Sequence, residues 1–383
     1  MINKLKALSD IDARGKRVLV RIDINSDIRN GKLIPSERLT SSLETIKELK
    51  KKKAKIVLLA HQGRPDTKFH DFTSLKQHAN YLNKYIKIKF IDDVIGIKAI
   101  KAIATMKESD IILLDNVRFV KDELNYKKNK PNKLIMQLAP LFDFYVNDAF
   151  SASHREHASI VGFPRVLKSA IGRSFEKELK NVSKLNISNA LFVLGGSKPE
   201  DNMLLASKRK NRVLASGLFG PFCLMAEGYN LGKENKIMKP EFNLLPKLKR
   251  EMNHIIAPID LAIEQKGKRK DLILRDFPVN NEILDLGRNT IKLYTSYIKH
   301  APAVFFKGLA GLCNKPEFSE GTKALLLTAS KSKFSVISGG HTLTMIEKFK
   351  IPKSSFNYVS TSGGALMHFL ANGTLVGIKA LKN

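Results

Sequence analysis

The chain has 383 residues, 43% of them hydrophobic, which is more than a single core usually accommodates and predicts two domains. There is no run of about 18 apolar residues, and the opening MINKLKALSDIDARGKR lacks the apolar centre and small-residue cleavage site of a signal peptide, so a soluble cytoplasmic protein is expected. The two cysteines, Cys223 and Cys313, belong to no CxxC or Cys/His cluster, which argues against a disulfide framework or a structural metal. A formal charge of +30, from 66 Lys plus Arg against 36 Asp plus Glu, gives a field that attracts polyanions. The lysines at 50–53, 127–130 and 266–270 stand in solvated-looking segments without the interleaved aromatics of a stacking surface. A generally basic surface is therefore the expected reading, with nucleic acid held at most by non-specific electrostatics.

In chain order, short β-branched runs alternate with stretches of helical spacing. RVLVRIDIN (17–25), AKIVLLAH (54–61), DIILLDNVRF (110–119) and DFYVNDAF (143–150) form a first series. ALFVLGG (190–196), RVLASG (212–217), HIIAPIDLAI (254–263), AVFFKG (303–308), FSVISGG (334–340) and FNYVSTSGG (356–364) form a second. The rhythm predicts an α/β protein with two Rossmann-like domains, each a buried parallel sheet flanked by helices. The connection at 163–184, containing SFEKELKNVSKL, is the expected hinge element, with domains at 1–168 and 169–372.

The polar residues at the strand ends differ between the series. The first supplies Arg21, Asp23 and Asn25, then Arg38, His61, Arg64, Arg118, His154 and Arg155. Any one arginine could serve a structural ion pair; five of them with two histidines at successive strand ends suit a small ligand carrying carboxylate and phosphate, whose oxygens match the guanidinium fork. Asp23 and Asn25 would accept from a ligand hydroxyl or orient the arginines. The second series supplies Gly195, Gly196 and Lys198 in GGSKPEDN, then Gly339, Gly340, His341 and Thr342 in SGGHT, and Gly363 and Gly364 in STSGGA. Each glycine segment could be an ordinary turn. Together they place close backbone approach and helix N-termini where phosphate would bind. Neither GxxxxGK[ST] nor a GxGxxG after the first strand occurs.

Taken in order, RVLVRIDIN, HQGRPD, LLDNVRF, VNDAFSASHREHAS, VLGGSKPEDN and VSTSGGALMHFL resemble the phosphoglycerate kinase family, over most of the chain from about Asp12 to Leu381. The HT of SGGHT, and Asn202 where the pattern has a second lysine after Lys198, resemble its archaeal branch. The resemblance implies an enzyme that transfers a phosphoryl group reversibly between 1,3-bisphosphoglycerate and ADP. Its partners would be 3-phosphoglycerate and ATP or ADP with Mg2+, and a monomer is expected. It implies a phosphoglycerate-binding domain, a nucleotide-binding domain, a hinge that closes them, and a segment at about 373–383 that packs back onto the first domain. Arg21, Asp23, Asn25, Arg38, His61, Arg64, Arg118 and Arg155 would contact the glycerate ligand. Arg38, Lys198 and the amides of Gly363 and Gly364 would act on the transferring group. Gly195, Gly196, Lys198, Gly308, Asn314, Gly339, Gly340, His341 and Thr342 would line the nucleotide site.

The departures from the pattern all fall on the nucleotide side. Where the family reads NGPxGxxE, this chain has Lys307, Gly308, Leu309, Ala310, Gly311, Leu312, Cys313 and Asn314, so the acidic residue expected at the ribose is Asn314. Ser338 and Ser362 replace glycines, which a Cβ permits only at negative φ. His341 stands where many members have aspartate. No protein carboxylate is then evident for the metal, and Mg2+ would rest mostly on phosphates and water. An alternative from another class is a nucleic-acid-binding protein on a kinase-like fold with a degraded nucleotide site.

Overall fold

The computed structural model describes residues 5–65, 72–184 and 187–382. Two compact units emerge, Met1–Ser183 with Thr374–Asn383, and Lys184–Gly373.

In the first unit the strands are β1 (Arg17–Arg21), β4 (Lys55–Leu59), β5 (Lys89–Ile91), β6 (Ile111–Leu114), β7 (Phe144–Asn147) and β8 (Lys168–Ile171), with a small hairpin of β2 (Ile28–Arg29) and β3 (Lys32–Leu33). The six larger strands form one sheet in the order β5-β6-β4-β1-β7-β8, and each neighbouring pair is parallel. Strands covered on both faces have no solvent side to be polar on, which is why VLV, IVLL and IILL read as continuous apolar runs. Val18, Val20, Ile56, Leu58, Ile111 and Leu113 pack with Ile46 and Leu49 of the helix Leu43–Lys51 and Leu82 of the helix Lys76–Leu82. Burial of each such side chain stabilises by about 1.5–3 kcal/mol.

The strand β8 corrects the boundary expected at 168/169. It pairs with β7 from Phe144 opposite Lys168 to Asn147 opposite Ile171, so the first sheet continues beyond that point. The helix Arg173–Ser183 also stays with this unit: Phe175 is enclosed and meets Phe150 edge-on at 5.3 Å, and Arg173 pairs with Glu48 at 2.6 Å. At the other end of the chain, the helix Val376–Ala380 joins the same unit, with Gly377 N–H donating to the Ser153 carbonyl at 2.9 Å and Ala380 packing with Ile160.

The second unit carries β9 (Ala190–Leu194), β10 (Val213–Ala215), β11 (Ile255–Ile256), β15 (Ala303–Lys307), β16 (Ser335–Ser338) and β17 (Tyr358–Ser360) in the order β11-β10-β9-β15-β16-β17, again all parallel. Leu191, Val193, Val304, Phe306 and Ile337 pack on Ile291, Tyr294 and Ile298 of the helix Arg288–His300. The stretch 254–263, expected as one strand, is two. After β11 the chain breaks at Pro258 and starts β12 (Asp260–Gln265), the centre of an antiparallel sheet with β13 (Lys268–Ile273) and β14 (Ile283–Leu286).

In both main sheets the chain builds outward on one side and then crosses to the other. The reversal lies between β1 and β7 in the first sheet and between β9 and β15 in the second. Open α/β sheets bind ligands beyond the carboxyl ends of the strands at that point.

Candidate active site

The carboxyl end of β1 carries Arg21, which is fully buried. Its Nε donates to Ser159 Oγ at 2.9 Å, Nη2 donates to His61 Nδ1 at 2.9 Å, and Nη1 donates to the carbonyl of Ile22. These three bonds use three of the five N–H donors of the guanidinium. All three nitrogens are engaged inside the unit, which fixes the plane of the guanidinium and ties it to Ser159 and His61. Because His61 Nδ1 accepts, the proton of the neutral ring sits on Nε2. Burial, and then the charges of Arg21, Arg118 and Arg155, hold the His61 pKa well below the ordinary imidazole value.

Just past β1, Asp23 is nearly enclosed and pairs with Arg38 Nε at 3.5 Å. It also accepts from Asn25 N–H at 3.1 Å and from the Ser151 hydroxyl. Burial pushes its pKa up, but Arg38, Ser151 and Arg21 outweigh that and keep it below the usual carboxylate range. Arg38 also donates to the Asn25 carbonyl at 3.3 Å, and Asn25 Oδ1 accepts from Gly63 N–H at 2.8 Å. Asp23 and Asn25 thus fix the arginine and the HQGR loop, one of the two roles the sequence allows them.

Arg118 follows β6 with its side chain almost entirely buried. Its Nη1 donates to the Gly63 carbonyl, while its buried Nε has no hydrogen-bond partner. Burial first, then Arg155 and Arg21, push its pKa down to about 10. Burial and then Arg64 push that of Arg155 down, and Arg155 Nε donates to His154 Nε2 at 3.2 Å. Arg64 is exposed. Arginines that destabilise one another's charge are costly unless an anion offsets them.

Three further residues support this cluster, although sequence reading did not single them out. Glu123, fully enclosed, accepts from Ser159 N–H at 2.8 Å and Ser159 Oγ at 2.7 Å, and lies 3.7 Å from His157 Nδ1. Burial raises the Glu123 pKa despite Arg21, and burial with Arg118, Arg155 and Arg21 pushes His157 down to about 3. The HREHAS motif contained two of the three, His157 and Ser159, but an isolated glutamate in a KDEL segment gives no such signal.

In the second unit two glycine turns interlock where the order reverses. Gly195 N–H donates to the Lys307 carbonyl and Gly196 N–H to the Leu309 carbonyl, both at 2.8 Å. Gly196 and Gly308 hold φ of +83° and +87°, and a Cβ on Gly308 would lie 2.3 Å from the Gly195 carbonyl oxygen. Only glycine fits there. Three helices then start from strand ends: Pro199–Lys208 after Lys198, Gly340–Lys348 after Gly339 at φ +105°, and Gly363–Asn372 after Ser362. Their first amides, including those of Gly340, Gly363 and Gly364, are helix N-terminal donors without intrahelical partners. Lys198 and His341 are exposed.

Thr342, expected to meet the nucleotide, is buried and accepts from Gly308 N–H at 3.1 Å, which holds the turn. Asn314 is exposed in the turn beyond β15. Both serines satisfy the backbone condition on them: Ser362 has φ −95°, and Ser338 is a strand residue outside the positive-φ set. Among the described residues, no group of three or more His, Cys, Asp or Glu could hold a metal ion. No helix among them is long and apolar enough to cross a membrane.

The sequence profile of phosphoglycerate kinase matches residues 8–373. The chain belongs to the phosphoglycerate kinase family. Relatives within the family include the phosphoglycerate kinase of Sulfurisphaera tokodaii, 38% identical over 98% of this chain and 95% of that one. The phosphoglycerate kinase of Archaeoglobus fulgidus is 37% identical over 100% and 97%. The crystal structure of phosphoglycerate kinase from Pyrococcus horikoshii superimposes with a TM-score of 0.86 at 30% identity, covering 98% of both chains. These relatives are archaeal, as the HT and Asn202 features suggest.

Proposed function

We propose that this chain transfers the γ-phosphoryl group of ATP reversibly to the carboxylate of 3-phosphoglycerate, giving ADP and 1,3-bisphosphoglycerate. The observation that carries this reading is the set of five arginines at the strand ends of the first unit, two of them enclosed, Arg21 on Ser159 and His61 and Arg118 on the Gly63 carbonyl. A carboxylate oxygen attacks the γ-phosphorus as the bond to the β–γ bridging oxygen breaks, and ADP leaves. The nucleophile is already ionised, so no general base is needed and catalysis is positioning with charge stabilisation. Arg64, Arg118 and Arg155 bind the glycerate, with His61 Nε2–H as a further donor. Arg38 and Lys198 neutralise the charge that spreads over the transferring group, aided by the amides of Gly363 and Gly364. Mg2+ bound to the nucleotide would be held mainly by phosphates and water and would supply further positive charge to the transferring group.

The basic surface alone would suit a nucleic-acid binder. It does not account for arginines enclosed at strand ends, where a duplex or single strand could not reach them. Isothermal titration separates the two readings. Saturable binding of 3-phosphoglycerate that weakens in Arg64→Ala supports the proposal, whereas RNA binding that falls steeply with salt and no 3-phosphoglycerate binding would replace it. The same titrations should find nucleotide binding more affected than glycerate binding relative to other family members. Lys307, Leu309, Asn314, Ser338 and Ser362 all lie on the nucleotide side.

A further inference from the structure

Two of the departures from the family pattern touch each other. Lys307, at the carboxyl end of β15, stands where the pattern has asparagine, and Asn202, in the helix that follows Lys198, stands where it has a second lysine. The two are 105 residues apart in sequence, yet Lys307 Nζ donates to Asn202 Oδ1 at 3.0 Å. We infer that they are a reciprocal exchange, and that Lys307 is a phosphate-binding residue for the nucleotide's phosphate chain, delivering from β15 the ammonium that the pattern delivers from position 202.

The surroundings of Lys307 fit an anion better than a structural ion pair. Its side chain is only 12% exposed, and its nearest carboxylate, Asp201 Oδ2, is at 4.0 Å, the outer limit of an ion pair. Of its three N–H donors, one is used on Asn202, and no second hydrogen bond is made among the described residues. Burial lowers its pKa, as does the charge of Lys198, and the carboxylates of Asp201 and Glu200 oppose this without reversing it. A buried ammonium so weakly compensated is stabilised when an anion arrives. Asn202 is fully buried and its Nδ2 donates to the Gly195 carbonyl at 3.0 Å, which orients Oδ1 toward Lys307 and ties the pair to the interlocked glycine turns. Those turns stand where the second sheet reverses its order, so the pair faces the predicted ligand side of the sheet.

The inference rests on the nucleotide reading of this unit, and a reversal experiment keeps the two apart. Lys307→Asn, Asn202→Lys, the double variant and Lys307→Met are compared with the wild type by steady-state turnover of ATP and 3-phosphoglycerate, ADP titration and thermal melting. Lys307→Asn removes the ammonium and should lower kcat/KM for ATP by about 10²-fold. Asn202→Lys sets two ammonium groups together and should also lose activity. The double variant restores one lysine and one asparagine in contact, and should recover to within about tenfold of the wild type. Lys307→Met keeps the stem and removes the charge, so it should melt near the wild type while binding ADP at least about tenfold more weakly. Wild-type ADP affinity in Lys307→Met, or a folded double variant no more active than Lys307→Asn, would overturn the inference. A wild type that neither binds ADP nor turns over would instead sink the nucleotide reading itself.

Discussion

Lys198 is exposed directly before the helix Pro199–Lys208, and Arg38, half-buried within the helix Glu37–Thr40, is held by Asp23. Removing one fixed positive donor from a phosphoryl-transfer site costs about 10² to 10³ in kcat. Arg38→Ala and Lys198→Ala should therefore lower kcat far more than they raise KM, while Arg64→Ala should mainly raise the KM for 3-phosphoglycerate. Steady-state kinetics with melting controls checks this, and retention of more than about a third of wild-type kcat by either variant would remove its assigned role. Histidine gives a second test at this scale. Burial holds His78 at a pKa of about 4, and its Nε2 shares a hydrogen bond with Gln62 Oε1 at 3.0 Å. A histidine whose folded pKa lies below its unfolded value of about 6.5 binds its proton only on unfolding. Its contribution is complete above that value and is lost as pH falls from about 6.5 toward 4, by at most roughly 3 kcal/mol. His61 and His157 act in the same direction. Urea unfolding at a series of pH values should therefore show stability dropping below pH 6.5, and less steeply in His78→Gln, which keeps an N–H donor but cannot titrate. An unchanged slope in that variant would contradict the assignment.

At the scale of elements, the interlocked turns at Gly195–Gly196 and Gly308 set where the second unit's phosphate-facing loops lie. Gly308→Ala must move backbone, since its Cβ would meet the Gly195 carbonyl at 2.3 Å at a φ of +87°. A loss of more than about 2 kcal/mol is expected from the strain and the clash together. Gly340→Ala meets nothing within 4 Å and should leave stability within about 0.5 kcal/mol, while weakening ADP binding if its amide cradles phosphate. Thermal melting and ADP titration of the two variants check both statements. Most of this framework was legible in the sequence because buried parallel strands advertise themselves as unbroken apolar runs. The strand β5 was not, since KIKF at a sheet edge keeps its lysines in water and hides the apolar period. The hairpins were missed too, although Asn30–Gly31 and Lys266–Gly267 hold the paired positive φ values of tight turns. The arginines were readable by residue type. Which of them is exposed and which, like Arg21, is enclosed depends on partners such as Glu123, 102 positions away and bound through Ser159, and no local pattern carries that.

For the whole molecule, the first unit is completed by the far end of the chain. Leu375, Ile378 and Leu381 are buried against it, and Gly377 bonds to Ser153 next to His154 and Arg155. Truncation after Gly373 should lower the first unit's stability by several kcal/mol, from the apolar area exposed, and weaken 3-phosphoglycerate binding. The second unit, Lys184–Gly373, is continuous and should keep its own melting transition, which calorimetry of the truncated chain would resolve. The central claim is that this chain transfers phosphoryl groups between ATP and 3-phosphoglycerate, and it is tested most directly by an assay in which 1,3-bisphosphoglycerate formation is coupled to NADH oxidation. The account predicts turnover that requires ATP, Mg2+ and 3-phosphoglycerate together and falls by about 10² or more in Arg38→Ala. A folded wild-type chain that gives no more turnover than the Arg38→Ala variant would contradict it.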